Sequence, residues 1–353
     1  MPEPSRNRSG RLLSWLPYVA MAAVATVDLT AGPGVGFLPL VALGPAFAGL
    51  AGSLRRTGAI SVLALLLCCL LSLYNGQFGG RRGSTALIGV TGVSAAGLVA
   101  TAGRKRREAE LASVRNIAEV AQRVLLRPVP LIVGPLRIAV SYTSAVAEAR
   151  IGGDLYEVVT SPRGVRVIVG DVQGKGLEAV ETAAVVLGAF REAAYDEVDL
   201  VTVGARLERA LGRHLSDEKF VTAVLAELSD GGGITLLDFG HPPPLLVRHD
   251  GSVEFVEVPE PAPPLGLGGL GAGSPVPYPQ PFSSGDQLLF YTDGVTEARD
   301  SDNRFYPLAE RAVLLKDPDP QIALDAMRHD LVAHVERPLR DDAAMLLLRH
   351  RNH

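Results

Sequence analysis

Cysteine is almost missing from this chain. Its two copies, Cys68 and Cys69, are adjacent and lie inside an apolar run. Such a pair offers no disulfide framework and no metal-ligand spacing. It also excludes a thiolate enzyme, which would need a cysteine outside that run. Acidic residues are nearly absent from the first hundred positions, where Asp28 is the exception after Glu3. An excess of basic charge is missing too: 34 Lys and Arg stand against 38 Asp and Glu, a formal net charge of −4. That balance argues against a general nucleic-acid binder. No G-x-S-x-G elbow occurs anywhere, so there is no sign of that serine hydrolase design.

What is present is unevenly spread. The 353 residues suit two units, and 47% of them are hydrophobic. Most of the excess lies before residue 103, in four apolar stretches: Leu12 to Thr30, Val35 to Leu54, Gly58 to Tyr74 and Thr85 to Ala102. Each is near the roughly 20 residues that cross a bilayer, the first and third being short. A cleaved signal peptide is the rival for the first, but three more follow and no convincing cleavage site is seen. Arginines precede the first stretch (Arg6, Arg8, Arg11), divide the second from the third (Arg55, Arg56) and follow the fourth (Arg104 to Arg107). By the positive-inside rule these places are cytoplasmic. Only Arg81 and Arg82 dissent. The expectation is a multi-pass plasma-membrane region, residues 1–103, with about four helices and both ends inside. The stretches hold no paired acids or bases, which argues against a transporter.

From Arg104 to Arg127 the chain reads as one linker helix. Leu111, Val114, Ala118, Ala121 and Leu125 follow 3-4-3-4 spacing. That stripe suits either a docked amphipathic helix or one that pairs with a second copy as a homodimer. Pro128 and Pro130 end it. Residues 128–353 then form one domain. Short strands come first, then two helices, then more strands, with a late helix near Gln321 to Val335 before a final strand. Strands joined by tight turns, with helices arriving in a block, predict an α+β fold with antiparallel sheets.

Aspartates recur at the ends of these strands. LLFYTDG ends an apolar run at Asp293, and VRVIVGDVQGKG ends another at Asp171. IGGDLY puts Asp154 at the start of a strand, and RDDAAMLLL puts Asp341 and Asp342 at the start of the last one. Singly, each is an ordinary turn. GDVQGKG lacks the spacing of a phosphate loop, so Lys175 reads as a solvated turn residue. His241, in rigid GHPPP, reads as a structural hydrogen-bonding residue rather than a base. Together, clustered carboxylates repel and persist only with protons or cations among them. Oxygen donors without His or Cys favour hard ions, Mg²⁺ or Mn²⁺.

In order, IGGDLY, GDVQGKG, FVTAVLAEL, GHPPPLL, LLFYTDGVTEARD and DDAAMLLL resemble the bacterial SpoIIE-like branch of the PP2C (PPM) metal-dependent serine/threonine phosphatases. The resemblance runs from about Leu136 to Arg349. It implies an α-β-β-α sandwich with two Mn²⁺ or Mg²⁺ ions at one edge and hydrolysis by a metal-activated water. Residue by residue it makes Asp154, Asp171, Asp293 and Asp341 the catalytic metal-binding residues, Asp154 directly or through water, with the Val172 carbonyl completing one side. Asp171 would bridge the two ions. Glu157 stands where aspartate is usual, and Ala344 where threonine is common. The reading is a membrane-anchored phosphatase facing the cytoplasm. Its implied substrate is a phosphorylated protein, a STAS-type anti-anti-sigma regulator in a partner-switching pathway. The alternative is a phosphatase-like module that binds such a partner without turnover.

Overall fold

The four apolar stretches become helices of unequal length. In the computed structural model, which describes residues 6–31, 37–144, 152–214, 219–228, 233–270 and 275–351, they form α1 (Arg6–Ala31), a 3₁₀ turn (Leu38–Ala42) leading into α2 (Leu43–Ala51), α3 (Leu54–Tyr74) and α4 (Arg81–Leu125). Val35, at the head of the second stretch, lies outside the described residues. Pro39 and Pro45 sit where helices begin, which splits that stretch. Its nine-residue α2 rises only about 14 Å, well short of the roughly 30 Å hydrocarbon core. Among the described residues, two segments are long and apolar enough to cross a membrane, Leu54–Tyr74 and Arg81–Ser113. The other apolar helices, Trp15–Thr30 and Leu38–Leu50, are shorter.

The chain divides into two compact units, Met1–Ser113 and Val114–His353. In the first, α3 turns Ile60, Ala64, Cys68 and Leu71 onto Val41, Ala86 and Val90. Cys68 is thus a core residue. Gly49 and Gly97 let two helices touch backbone to backbone, since a Cβ at Gly49 would lie 3.0 Å from the Gly97 Cα. Asp28 is buried and accepts a 2.7 Å hydrogen bond from Asn75 Nδ2.

The expected linker helix is the C-terminal part of α4, which stops at Leu125 ahead of Pro128 and Pro130. Of its apolar stripe, Ala121 and Leu125 pack on Val180, while Leu111 is exposed. The side chains of Val114 and Ala118 lie outside the described residues.

The second unit continues with β1 (Ile132–Val133), β2 (Leu136–Thr143), β3 (Leu155–Ser161), β4 (Gly164–Val172), α5 (Leu177–Asp196) and α6 (Leu200–Leu211). Next come β5 (Val221–Leu228), β6 (Ile234–Phe239), β7 (Leu245–Val247), β8 (Val253–Phe255) and β9 (Tyr278–Gln280). It ends with β10 (Gln287–Tyr291), α7 (Asp293–Thr296), α8 (Leu308–Arg311), α9 (Pro320–Val335) and β11 (Ala343–His350). The strands form two antiparallel sheets, ordered β1-β2-β11-β10-β7-β8 and β3-β4-β5-β6-β9.

Each sheet buries both faces, which is why its central strands are apolar throughout. In β11, Ala344, Leu346 and Leu348 enter the core between the sheets. Ala343, Met345 and Leu347 face the other way, onto α9 residues such as Leu324 and Leu331. In β4, Val167 and Val169 point between the sheets and Ile168 points to α5 and α6, against Phe190 and Leu207. The layers are therefore helix, sheet, sheet, helix: an α+β sandwich. Arg166 is a fully buried cation in β4. It is tolerated because Glu227, its cross-strand partner, lies 2.6 Å away, and because it donates to the carbonyls of Ala194, Glu197 and Val198 just at and beyond the C-terminus of α5.

Candidate metal centre

Strand register carries the aspartates to one edge of the sandwich. On one sheet, Leu155 pairs with Gly170, so Asp154 and Asp171 flank the same end of the β3–β4 ladder. The Val172 N–H donates to the Gly153 carbonyl at 3.2 Å and closes that end. On the other sheet Tyr291 pairs with Met345, which sets Asp293 beside the chain leaving Asp341 and Asp342. A cleft of about 430 Å³ opens between them, lined by Asp171, Val172, Lys175, His241, Asp293 and Asp341 among others. Asp154 lies behind it, buried.

Glycines allow the approach. Gly294 is helical, so a left-handed turn is not its purpose. A Cβ there would overlap the Asp342 carbonyl oxygen, and one at Gly153 would strike Val172. The Asp-Gly and Gly-Gly-Asp patterns thus mark close packing rather than turn geometry.

Hydrogen bonds fix the buried carboxylates. Thr292 Oγ1 donates to Asp154 Oδ2 at 2.8 Å and accepts the Ala344 N–H at 3.0 Å, joining the two sheets behind the cleft. Asp342 is buried and turned inward: its Oδ2 accepts the Gly152 N–H at 2.9 Å and the Tyr142 hydroxyl. Gln122 Nε2, from α4, donates to that Tyr142 oxygen at 2.7 Å and to the Gly152 carbonyl at 3.3 Å. Arg191 holds Glu157 at 2.5 Å and also donates to the Leu125 carbonyl. The end of α4 is therefore bonded to the loop that carries Asp154. Sequence reasoning missed Thr292, Tyr142 and Gln122, whose partners are distant in the chain. For Thr292 the one available signal was its place directly before Asp293.

His241 has the structural part expected of it. Its ring bridges the sheets, with Nε2 3.0 Å from the Tyr291 carbonyl and Nδ1 3.2 Å from Thr222 Oγ1. Burial pushes its pKa down to about 4, so at neutral pH the ring donates from Nε2 and accepts at Nδ1. Lys175 is exposed on a turn, as expected, but it is not free in solvent. It sits between Gly174 and Gly176, both at positive φ, and its ammonium pairs with Asp341 at 2.5 Å.

Electrostatics show how strained the acids are. Burial, and then repulsion from Asp171, holds the Asp154 carboxyl well above the usual range. Burial, with Asp293 and Asp341, pushes Asp171 up to about 7. Burial followed by Glu297 and Asp341 raises Asp293. A hard cation would relieve all three, and the oxygen-only donor set suits one. Yet among the described residues no three acidic, His or Cys side chains already stand close enough to chelate an ion. The Lys175 ammonium rests on one carboxylate of the set, that of Asp341. Both partners are partly exposed, 32% and 44%, so the pair is worth about 1 kcal/mol or less, and a divalent ion displaces it at little cost. The donors fit the ions; the closed shell is not preformed.

The sequence profile described as Stage II sporulation protein E (SpoIIE) matches residues 161–351. That is more than half of the chain. The chain belongs to the SpoIIE family. Its fold is also similar to that of the RsbU and RsbW domains of Rv1364c from Mycobacterium tuberculosis, at 27% identity and a TM-score of 0.51, over 61% of this chain and 60% of that one. The PP2C phosphatase domain of SpoIIE from Bacillus subtilis, solved with a fragment of its regulatory domain, matches at 18% identity and a TM-score of 0.52, over 62% and 64%. The SiaA-PP2C domain of Pseudomonas aeruginosa matches at 18% and 0.55, over 69% of this chain and 98% of that domain. This chain thus spans less than two thirds of the first two structures, and the likeness to the last two is one of fold. As a SpoIIE-family member, it carries a phosphatase-type sandwich.

Proposed function

We propose that this protein is a metal-dependent phosphoserine/phosphothreonine protein phosphatase anchored to the plasma membrane. In this reading residues 1–103 form a multi-pass membrane region, 104–127 a linker and 128–353 a cytoplasmic catalytic domain. The observation that carries it is the meeting of strand ends from both sheets at one acidic cleft in a SpoIIE-family chain. Asp154, Asp171, Asp293, Asp341 and the Val172 carbonyl would hold two Mn²⁺ or Mg²⁺ ions. When bound, such a pair supplies Lewis-acid charge and an activated water for in-line displacement at phosphorus.

The chain's own residues supply position. Thr292 holds one Asp154 oxygen from behind the cleft, while Asp342, itself bonded to Tyr142, fixes Gly152, two residues before Asp154. His241, neutral and with both ring nitrogens engaged, ties the two sheets at the cleft wall instead of moving a proton. The cleft is open and admits a phosphorylated side chain presented by a protein. Family membership supports a STAS-type anti-anti-sigma regulator as that protein. The second reading, a phosphatase-like binding module, is favoured by the Lys175–Asp341 pair and by the lack of a preformed chelate among the described residues. Assay of the full chain on phosphoserine peptides separates the two. Turnover that needs Mn²⁺ or Mg²⁺ and stops with EDTA supports the enzyme; phosphoprotein binding without turnover supports the module.

A further inference from the structure

At the other end of β11 from the aspartates, the surface carries charge of the opposite sign. A cleft of about 350 Å³ is lined by Arg137, Lys316, Arg349, His350 and Arg351. From Ala343 to His350 the strand covers seven steps, roughly 23 Å at about 3.3 Å each, so this cleft is separate from the acidic one.

Neutral groups hold its guanidinium ions in place. Arg349 Nη2 donates to the Leu315 carbonyl at 3.0 Å and Nη1 donates to the Asp317 carbonyl. Arg351 Nη2 donates to the Gly134 carbonyl at 2.9 Å. Among the described residues, Arg137, Lys316, Arg349 and Arg351 form no ion pair with a carboxylate. Asp317 and Asp319 offset some of the charge on Arg349 from nearby. Their oxygens, however, are turned to backbone: Asp317 accepts the Asp319 N–H at 2.9 Å and Asp319 accepts the Gln321 N–H at 2.8 Å. Arg349 is partly buried, and burial together with the nearby Arg137 works against its charged form.

A half-desolvated cation fixed by carbonyls, with further cations around a concave surface, is incomplete until an anion joins it. Guanidinium forks already oriented lose little freedom on binding and match tetrahedral oxyanions bidentately. Arg137 and Lys316 are exposed and can close over the ligand. We propose that this cleft is an oxyanion site that takes a ligand of the phosphate class, free or as the headgroup of a phosphorylated lipid.

The test is calorimetric titration of the full chain in non-ionic detergent with EDTA present, so that the aspartate cleft holds no metal and repels the probe. Pyrophosphate is one probe, and glycerophosphoinositol phosphate, a lipid headgroup without its chains, is the other. Saturable binding is expected for at least one, and the tighter of the two identifies the source. The double variant Arg137→Ala/Lys316→Ala should weaken binding tenfold or more, with the ligand-free melting temperature unchanged. No saturable binding by the wild-type chain, or equal binding by the double variant, overturns the proposal.

Discussion

Two neighbouring acids, Asp341 and Asp342, differ in everything but charge. Asp341 lines the cleft and is partly exposed, whereas Asp342 is buried under Tyr142 and Gly152. Asp341→Asn should therefore lower activity on the order of a hundredfold or more, as other electrostatic deletions at active sites do, with unfolding unchanged. Asp342→Asn replaces one acceptor oxygen with a donor in a site full of donors. Its cost should appear in stability, roughly 1–3 kcal/mol by thermal denaturation, and only secondarily in rate. Equal melting temperatures for the two variants would contradict this division. The adjacent pair is visible in the sequence, and because side chains alternate along an extended chain, only one member can readily face the cleft. Which one could not be read from the pattern, because the choice depends on Tyr142 and Gly152, some 200 residues upstream.

At the scale of elements, most strands were legible because their apolar runs are bounded by Gly, Pro and Asp. Leu155–Ser161, Ile234–Phe239 and Gln287–Tyr291 are such runs. The strand Tyr278–Gln280 lies within a Pro/Gly-rich segment between Pro259 and Pro281, whose composition suits a loop. Pro279 is accepted there because the strand is an edge, where a missing N–H is tolerated. Sequence reasoning also missed Ile132–Val133, which is only two residues long and follows Pro130. The layered core makes a sharp prediction in β11. Leu346 and Leu347 enter different cores, so Leu346→Ala and Leu347→Ala should each cost about 2–5 kcal/mol in chemical denaturation. A strand with one solvated face would give one large loss and one near zero.

For the whole molecule, composition separates an apolar first part from a mixed remainder, and the two compact units meet after Ser113. Length was harder to read, because Pro39 and Pro45 interrupt a stretch whose composition alone suits a span. The proposed topology puts a reporter fused after Arg107 in the cytoplasm and one fused near Gly79 outside. Both reporting the same side would contradict it and point to Arg81 and Arg82 as the cause.

Mn²⁺ binding to the full chain, followed by electron paramagnetic resonance, tests without any substrate whether the aspartate cleft takes two hard divalent ions. Two ions per chain are expected near pH 7.5, falling sharply in Asp171→Asn. Because burial and mutual repulsion raise the carboxyls of Asp154 and Asp171, the latter to about 7, those groups hold protons at lower pH. Binding must release these protons, so Mn²⁺ affinity should fall as the pH drops from 7.5 to 6. A wild-type chain that binds no Mn²⁺ above pH 7, or an Asp171→Asn chain that binds it equally well, would contradict the account.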